Sequence, residues 1–97
     1  MSINQAIIVG NLARDPEIKL INDKNKVKLV VATSAGDYPA EYTDVSIWVK
    51  NPVFYENLKK GNLVSVTGKV RYYSYENKNG QKVYGTEVEA KTVELVK

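Results

Sequence analysis

The chain has 97 residues, the size of one domain. It contains no cysteine and no histidine, which excludes disulfides, thiolate nucleophiles and cysteine zinc sites and removes the commonest general base. The net charge of +3 at pH 7 permits a polyanionic partner without requiring one. We find no apolar run long enough to span a membrane and no signal peptide, so we expect a cytoplasmic protein.

The first part of the chain is predicted to form three strands. "NQAIIVGNL" is the first, with Gly10 at a bend, and "ARDPE" follows it as a turn. The second, "KVKLVVATS", alternates, so that Val27, Leu29 and Val31 share one face and Lys28 lies on the other. The loop "AGDYPAE" then leads to the third strand, "YTDVSIWVK".

The third strand alternates more clearly. Val45, Ile47 and Val49 form its core face, and the opposite face carries Tyr42, Asp44, Ser46, Trp48 and Lys50. Because Ser, Asp and Lys are typical of a solvated face, we predict that the rings of Tyr42 and Trp48 are exposed.

A short helix and a hairpin complete the predicted elements. The helix covers "NPVFYENLKKG", with Asn51 as its cap, Pro52 in its first position and Gly61 ending it. "LVSVTGKVRYYSY" and "QKVYGTEVEA" are two strands, and Asn79-Gly80 between them predicts a two-residue hairpin turn. "KTVELVK" is a further short strand or a frayed end.

The aromatic residues of the hairpin divide between two faces. Arg71, Tyr73 and Tyr75 fall opposite Val70, whereas Tyr72 falls with Val70 and is predicted to pack inward. Three other rings are predicted to be structural: Phe54, Tyr55 and Tyr84.

The order of three strands, a helix and two strands is that of an OB-fold. We therefore predict an all-β chain, a five-stranded Greek-key barrel with one short helix between strands 3 and 4, forming a single domain over residues 1–97. An SH3-like barrel or a small sandwich would also give short alternating strands.

Exposed rings interleaved with cations suit single-stranded nucleic acid. Unpaired bases stack on aromatic rings, and Lys and Arg contact the phosphates. Duplex DNA would instead require a helix or ribbon that reaches base edges in a groove. The candidate nucleic-acid-binding residues are Tyr42, Trp48, Lys50, Arg71, Tyr73, Tyr75, Lys28, Tyr38, Lys78 and Lys82.

An enzyme is the disfavoured class. Asp37, Glu41 and Asp44 lie around one loop and could be imagined to hold Mg²⁺, but loop solubility and pairing with lysines explain them as well. The sequence has neither a phosphate-binding G-x-x-x-x-G-K-[ST] loop nor a serine-nucleophile motif. We expect no catalysis, no cofactor and no metal.

Several segments, taken together, resemble one family. "AIIVGNLARDPE", "LVVATS", "YTDVSIWVK", "NLKKGNLVSVTGKV" and "NGQKVYGTEVEA" occur in the order found in bacterial single-stranded DNA-binding proteins and cover essentially the whole chain. The resemblance implies an OB-fold, a homotetramer, and sequence-tolerant wrapping of single-stranded DNA in replication, recombination or repair.

The resemblance also assigns roles to individual residues. Tyr42, Trp48 and Tyr75 fall at positions where the family has stacking aromatic rings, and Arg71 falls at a basic position. Tyr38 is the nearest candidate for a further family tryptophan, in the loop after the second strand.

Three departures from the family pattern stand out. Thr43 replaces a common histidine, and Asp44 occupies a DNA-facing position that is often basic, where it could pair with Lys50 or Arg71. The last ten residues hold two Glu and two Lys and no acidic cluster. The resemblance therefore implies a short form without the acidic tail that recruits replication enzymes: either a trimmed core or a phage or mobile-element protein, which would act in the host cytoplasm.

Two other binding functions stay open at this point. A primosomal or accessory OB-fold module would act mainly through protein partners and is often dimeric. An RNA-binding OB-fold is the other, although the aromatic motifs of cold-shock domains are not present in the sequence.

Overall fold

The computed structural model describes residues 1–96 and is all-β apart from one helical turn. Its elements are β1 (Ala6–Leu12), β2 (Glu17–Ile21), β3 (Lys24–Thr33), β4 (Glu41–Val49), α1 (Val53–Glu56), β5 (Leu63–Glu76) and β6 (Lys82–Leu95). The predicted all-β class, with a short helix before the final two strands, is confirmed. No helix within these residues is long and apolar enough to cross a membrane.

The strands form one sheet that closes on itself. Their order is β1-β5-β6-β4-β3-β2, and β1 also pairs with β3 through Asn11 and Leu12. Five strands thus make a closed ring, which agrees with the five predicted strands, and β2 lies outside it as an extension of β3. The β4–β6 pairing, at Val45 and Ser46, is parallel, and all the others are antiparallel.

Strand β2 is a sixth strand, which was not predicted. Glu17–Ile21 pairs along its whole length with β3, and Asn22 and Asp23 join the two strands with φ values of 48° and 67°. Positive φ at both central residues is the signature of a type I′ turn, whose twist matches that of the flanking strands. "ARDPE" was predicted as a turn, and no strand was predicted between it and the second strand. Only "ARDP" precedes β2, and Glu17 is the first residue of that strand.

The turn between β5 and β6 also differs from the prediction. Five residues, 77–81, separate the strands, and only Gly80 has positive φ. The Asn77 side chain explains the wider turn, because its Oδ1 accepts hydrogen bonds from the backbone N–H groups of Asn79 and Gln81, each at 2.9 Å. Of "KTVELVK", residues 91–95 belong to β6, after an irregularity opposite Thr67 and Gly68, and Lys97 lies outside the described residues.

The core lies inside the ring. Val27, Leu29, Val31, Val45 and Ile47 are buried, as their alternation predicted. They pack in one cluster with residues from the other strands and from α1 and the turn after it: Leu12, Tyr55, Leu58, Val64, Val66, Val88, Ala90 and Val93.

Helix α1 begins one residue later than predicted. Pro52 is its N-cap, and Asn51 Oδ1 accepts a hydrogen bond from the Val53 N–H at 3.1 Å. Tyr55 anchors the helix in the core, as predicted for this ring, and burial raises the pKa of its hydroxyl. Gly61 has a φ of 93° in the turn that leads to β5, where glycine is favoured.

Candidate nucleic-acid interface

The outer face of β3 and β4 presents two aromatic rings. Tyr42 is 66% exposed and Trp48 is 42% exposed, so the predicted exposure of both rings is confirmed. Lys26 lies opposite Trp48 in the β3–β4 register, with its Nζ 5.6 Å from the ring centroid. This geometry gives a cation–π contact at a ring that remains partly exposed to solvent.

The centre of this face is less solvated than predicted. Ser46 is only 2% exposed. It lies between Lys28 of β3 and Glu89 of β6, because β4 has hydrogen-bonded neighbours on both sides at this point. The expectation of a continuous wet face was therefore wrong at Ser46, and the exposed parts lie on either side of it.

The outer part of the β5–β6 hairpin forms an arm. Residues 71–76 and 82–87 pair only with each other, since β5 meets β1 no further than Gly68 and β6 meets β4 at Val88 and Glu89. The arm is defined here as these two segments with their connecting turn. It has no strand packed under either face.

One face of the arm carries two parallel rings. The centroids of Tyr73 and Tyr75 are 6.4 Å apart with an interplanar angle of 15°. Gly85 lies opposite Tyr73, and a Cβ built on it would overlap the Tyr73 ring. The absence of a side chain at Gly85 therefore lets that ring lie across β6.

The arm and the β3–β4 face meet in a cleft of about 460 Å³. Its lining combines four of the predicted residues with other charged and core groups: Lys28, Arg71, Tyr73 and Tyr75, and Arg14, Lys26, Leu29, Asp44, Val45 and Glu87. Cations and rings line the same concave surface, which suits a flat, negatively charged polymer.

Asp44 is a carboxylate in this otherwise mostly cationic cleft. Pairing with Lys50 or Arg71 was one possibility, and neither ion pair occurs within residues 1–96. The one ion pair within residues 1–96 joins Arg71 to Glu89, at 3.9 Å. Asp37, Glu41 and Asp44 do not form a metal site, since no group of three potential ligands occurs within the same residues.

The remaining predicted residues do not line the cleft. Tyr42 lines a neighbouring hollow that shares Asp44 and Glu87 with it, and Trp48 lines another hollow beside the β2–β3 turn. Lys50, Tyr38 and Lys78 are exposed, directly after β4, in the loop before β4 and in the turn of the arm.

Four ring and cation positions differ from the expectations. Tyr72 is 76% exposed rather than packed inward, because the hydrophobic core inside the ring of strands does not extend beneath the arm. Tyr84 is exposed on the same face as Tyr72, so its predicted structural role is not supported by burial, and Phe54 is partly exposed beside Tyr55. Lys82 also lies on that outer face, with its Nζ 5.9 Å from the Tyr84 ring centroid.

Some cations of the site were missed by the sequence analysis. Lys26 and Arg14 line the cleft, and Lys24 lines the hollow at Trp48. The alternation of Lys24, Lys26 and Lys28 along β3 was the signal for a basic face. It was overlooked because the second strand was predicted to begin at Lys26.

A fold and a site of this kind define a class of protein, an OB-fold with an aromatic and basic cleft. The sequence profile of the Single-strand binding protein family matches residues 3–96, and the chain belongs to this family. The fold is therefore the OB-fold, with β2 added outside the ring.

Relatives in several bacteria agree with this assignment. Single-stranded DNA-binding protein 1 of Lactococcus lactis is 36% identical over 105 residues, which cover 97% of this chain and 68% of that protein. Single-stranded DNA-binding protein B of Bacillus subtilis is 34% identical, with 96% and 89% covered. A single-stranded DNA-binding protein of Halalkalibacterium halodurans is 31% identical, with 97% and 61% covered.

Proposed function

We propose that this protein binds and protects single-stranded DNA without sequence preference and without catalysis, in replication, recombination or repair. The observation that carries the proposal is the cleft in which Tyr73 and Tyr75 stand beside Arg14, Lys26, Lys28 and Arg71. Membership of the family and the names of the relatives support it.

Stacking supplies affinity that does not depend on sequence. Every base has a π-face, and stacking on an aromatic side chain contributes about 1–3 kcal/mol per base. Tyr73 and Tyr75 present nearly parallel rings on the cleft face of the arm, and Trp48 and Tyr42 present further rings on β4. The unpaired bases of a single strand can stack on these rings, whereas the bases of a duplex already stack on one another.

The charges divide the site between phosphates and bases. Arg14, Lys26 and Lys28 attract the backbone of the strand, whereas Asp44 repels it. A base rather than a phosphate therefore lies next to Asp44. Amino and imino groups of bases can donate hydrogen bonds to its carboxylate.

We also propose a homotetramer that acts in the cytoplasm, each chain contributing residues 1–97 as one binding domain. Residues Ala6 to Val9 of β1 pair with β5 on one side only, so their other edge is open. Ile7 and Val9 are exposed on the face of β1 turned away from the core. An open edge beside apolar side chains favours pairing with a second copy.

The test uses the only tryptophan of the chain, Trp48. We would titrate the protein with oligo-dT and follow its fluorescence at low and high salt, with oligo-rU and duplex DNA of equal length as competitors. We expect quenching by oligo-dT that weakens as salt rises. No binding of oligo-dT would contradict the proposal, and equal or stronger binding of oligo-rU would assign the site to RNA.

A further inference from the structure

The charges of the cleft are segregated along β4. Lys28 of β3 lies opposite Ser46 in the β3–β4 register. Asp44 is the next residue on the same face of β4, and its partner on β3 is Val30. The lysines on this face of β3 therefore stop short of Asp44, whose partner across the ladder is uncharged.

The neighbour of Asp44 on its other side is a second acid. Val45 of β4 pairs with Val88 of β6 in the parallel part of the sheet. Asp44 and Glu87 each lie one position earlier on these strands, so they are side by side where the pairing begins. Both residues line the cleft and also the hollow lined by Tyr42. The wall between these two concavities is therefore acidic.

Neither acid takes part in an ion pair within residues 1–96. Arg71 lies opposite Glu87 in the β5–β6 register, but its guanidinium pairs with Glu89, at 3.9 Å. Two like charges at neighbouring positions of a sheet are unfavourable, and both carboxylates repel a phosphate. A bound metal ion is disfavoured, because Arg71 lines the same cleft and no group of three potential ligands occurs within these residues. The arrangement instead favours a neutral hydrogen-bond donor.

The rings of the cleft determine which part of a DNA strand meets the acids. Tyr73 and Tyr75 line the same cleft as Asp44, and a base stacked on either ring turns its edge toward the cleft walls. The edges of the bases differ in their donors and acceptors. Cytosine presents its N4 amino group, from which Asp and Glu accept hydrogen bonds in protein–DNA complexes. Thymine and uracil have the carbonyl oxygen O4 at this position, which a carboxylate repels.

We propose that Asp44 is a specificity-determining residue that favours bases with an exocyclic amino group over thymine and uracil. Its carboxylate accepts a hydrogen bond from the amino group of a base stacked in the cleft, and Glu87 keeps phosphates away from this position. This inference rests on the proposed function and deepens it. Strands of every sequence still bind through stacking and phosphate contacts, and their base composition modulates the affinity.

The test compares oligo-dC with oligo-dU of equal length, because the two bases have similar size and both lack the methyl group of thymine. Trp48 fluorescence gives both affinities at fixed salt, with a chelator present to remove metal ions. We expect the unmodified protein to bind oligo-dC about 5-fold more tightly or better, the lower limit for one contact to a base edge. Asp44→Asn should abolish this preference, because an amide can accept from an amino group or donate to a carbonyl oxygen.

Glu56→Gln is the matched control, because it removes one carboxylate from an exposed position of α1 that lines neither the cleft nor the hollow. It should retain the preference for oligo-dC, and circular dichroism would verify that both variants are folded. Loss of the preference in Asp44→Asn alone supports the inference.

The other outcomes separate the two proposals. Equal binding of oligo-dC and oligo-dU by the unmodified protein overturns the inference and leaves binding at the cleft intact. The same holds if Asp44→Asn tightens the binding of both oligomers at an unchanged ratio, since Asp44 then only repels phosphates, or if the control also loses the preference. If the unmodified protein binds neither oligomer, the proposed function fails and this inference fails with it.

Discussion

At the scale of single residues, the site depends on a position without a side chain. Gly85 is within the β6 segment of the arm. Because it has no Cβ, the Tyr73 ring can lie against the backbone at this position. Glycine in a strand interior weakens the strand, so its occurrence here is explained by the close approach of that ring. Tyr73 then lies parallel to Tyr75, and the two rings form one platform.

We predict that Gly85→Ala weakens oligo-dT binding as much as Tyr73→Ala does, by about 5-fold or more, the equivalent of one lost stacking contact. The physical reason is displacement of the ring by the new methyl group. A double-mutant cycle measured by fluorescence titration checks it. In the Tyr73→Ala background, Gly85→Ala should have no further effect. Additive losses would show that Gly85 acts independently of the ring.

At the scale of elements, the arm has two faces with different chemistry. Tyr73 and Tyr75 face the cleft with Arg71, and Tyr72 and Tyr84 lie on the opposite face. All of these rings are at least partly exposed, so exposure alone does not identify the binding face. The cations that line the cleft make the distinction.

The two faces can be compared by matched substitutions. We predict that Tyr75→Ala weakens oligo-dT binding by about 5- to 150-fold, since 1–3 kcal/mol of stacking is lost. Tyr72→Ala removes a still more exposed ring from the opposite face and should change the affinity less than 2-fold. Isothermal titration calorimetry at fixed salt measures both. An equal loss in the two variants would mean that the strand contacts both faces.

Alternation along a strand predicted much of this site, and its failures have a structural cause. The rule succeeded for Val45, Ile47 and Trp48 because β4 packs on a core that defines inside and outside. It failed for Tyr72, because the arm extends past the core and neither of its faces is inside. Alternation along a strand predicts which residues share a face, but it does not predict where along the strand the core ends.

The missing strand β2 has a different explanation. Glu17–Ile21 has exposed residues at four of its five positions, so it carries no strong apolar alternation. It exists through its pairing with β3, and the Asn22-Asp23 turn that joins them is a less familiar hairpin signal than Asn-Gly. Lys19 was overlooked for the same reason, because it lies on β2.

At the scale of the whole molecule, charge is organised although the net value is small. The chain carries only +3, yet Arg14, Lys26, Lys28 and Arg71 converge on one cleft. Strand β1, which contributes no residue to the cleft, is different, because the exposed side chains of Ile7 and Val9 are apolar and lie beside its open edge. The molecule thus has a basic and aromatic surface and a separate apolar one, and the proposed function assigns the first to DNA and the second to a copy of the chain.

This separation leads to a prediction about assembly. We expect the protein to have about four times the chain mass of 10.9 kDa in solution, measured by size-exclusion chromatography with light scattering. Ile7→Lys/Val9→Lys should reduce that mass, because symmetry would bring the introduced charges together across an interface between copies. Val53→Lys, at an exposed apolar position of α1, is the control and should leave the mass unchanged.

The same variant tests how assembly and DNA binding are related. Because β1 contributes no residue that lines the cleft, oligo-dT should still bind a dissociated chain and quench its Trp48 fluorescence. Its affinity for long strands should fall, since one strand could no longer contact several linked sites and effective concentration is lost. A wild-type protein that is monomeric at micromolar concentration would contradict the assembly. A variant that no longer binds short oligo-dT would show instead that the cleft requires the neighbouring copy.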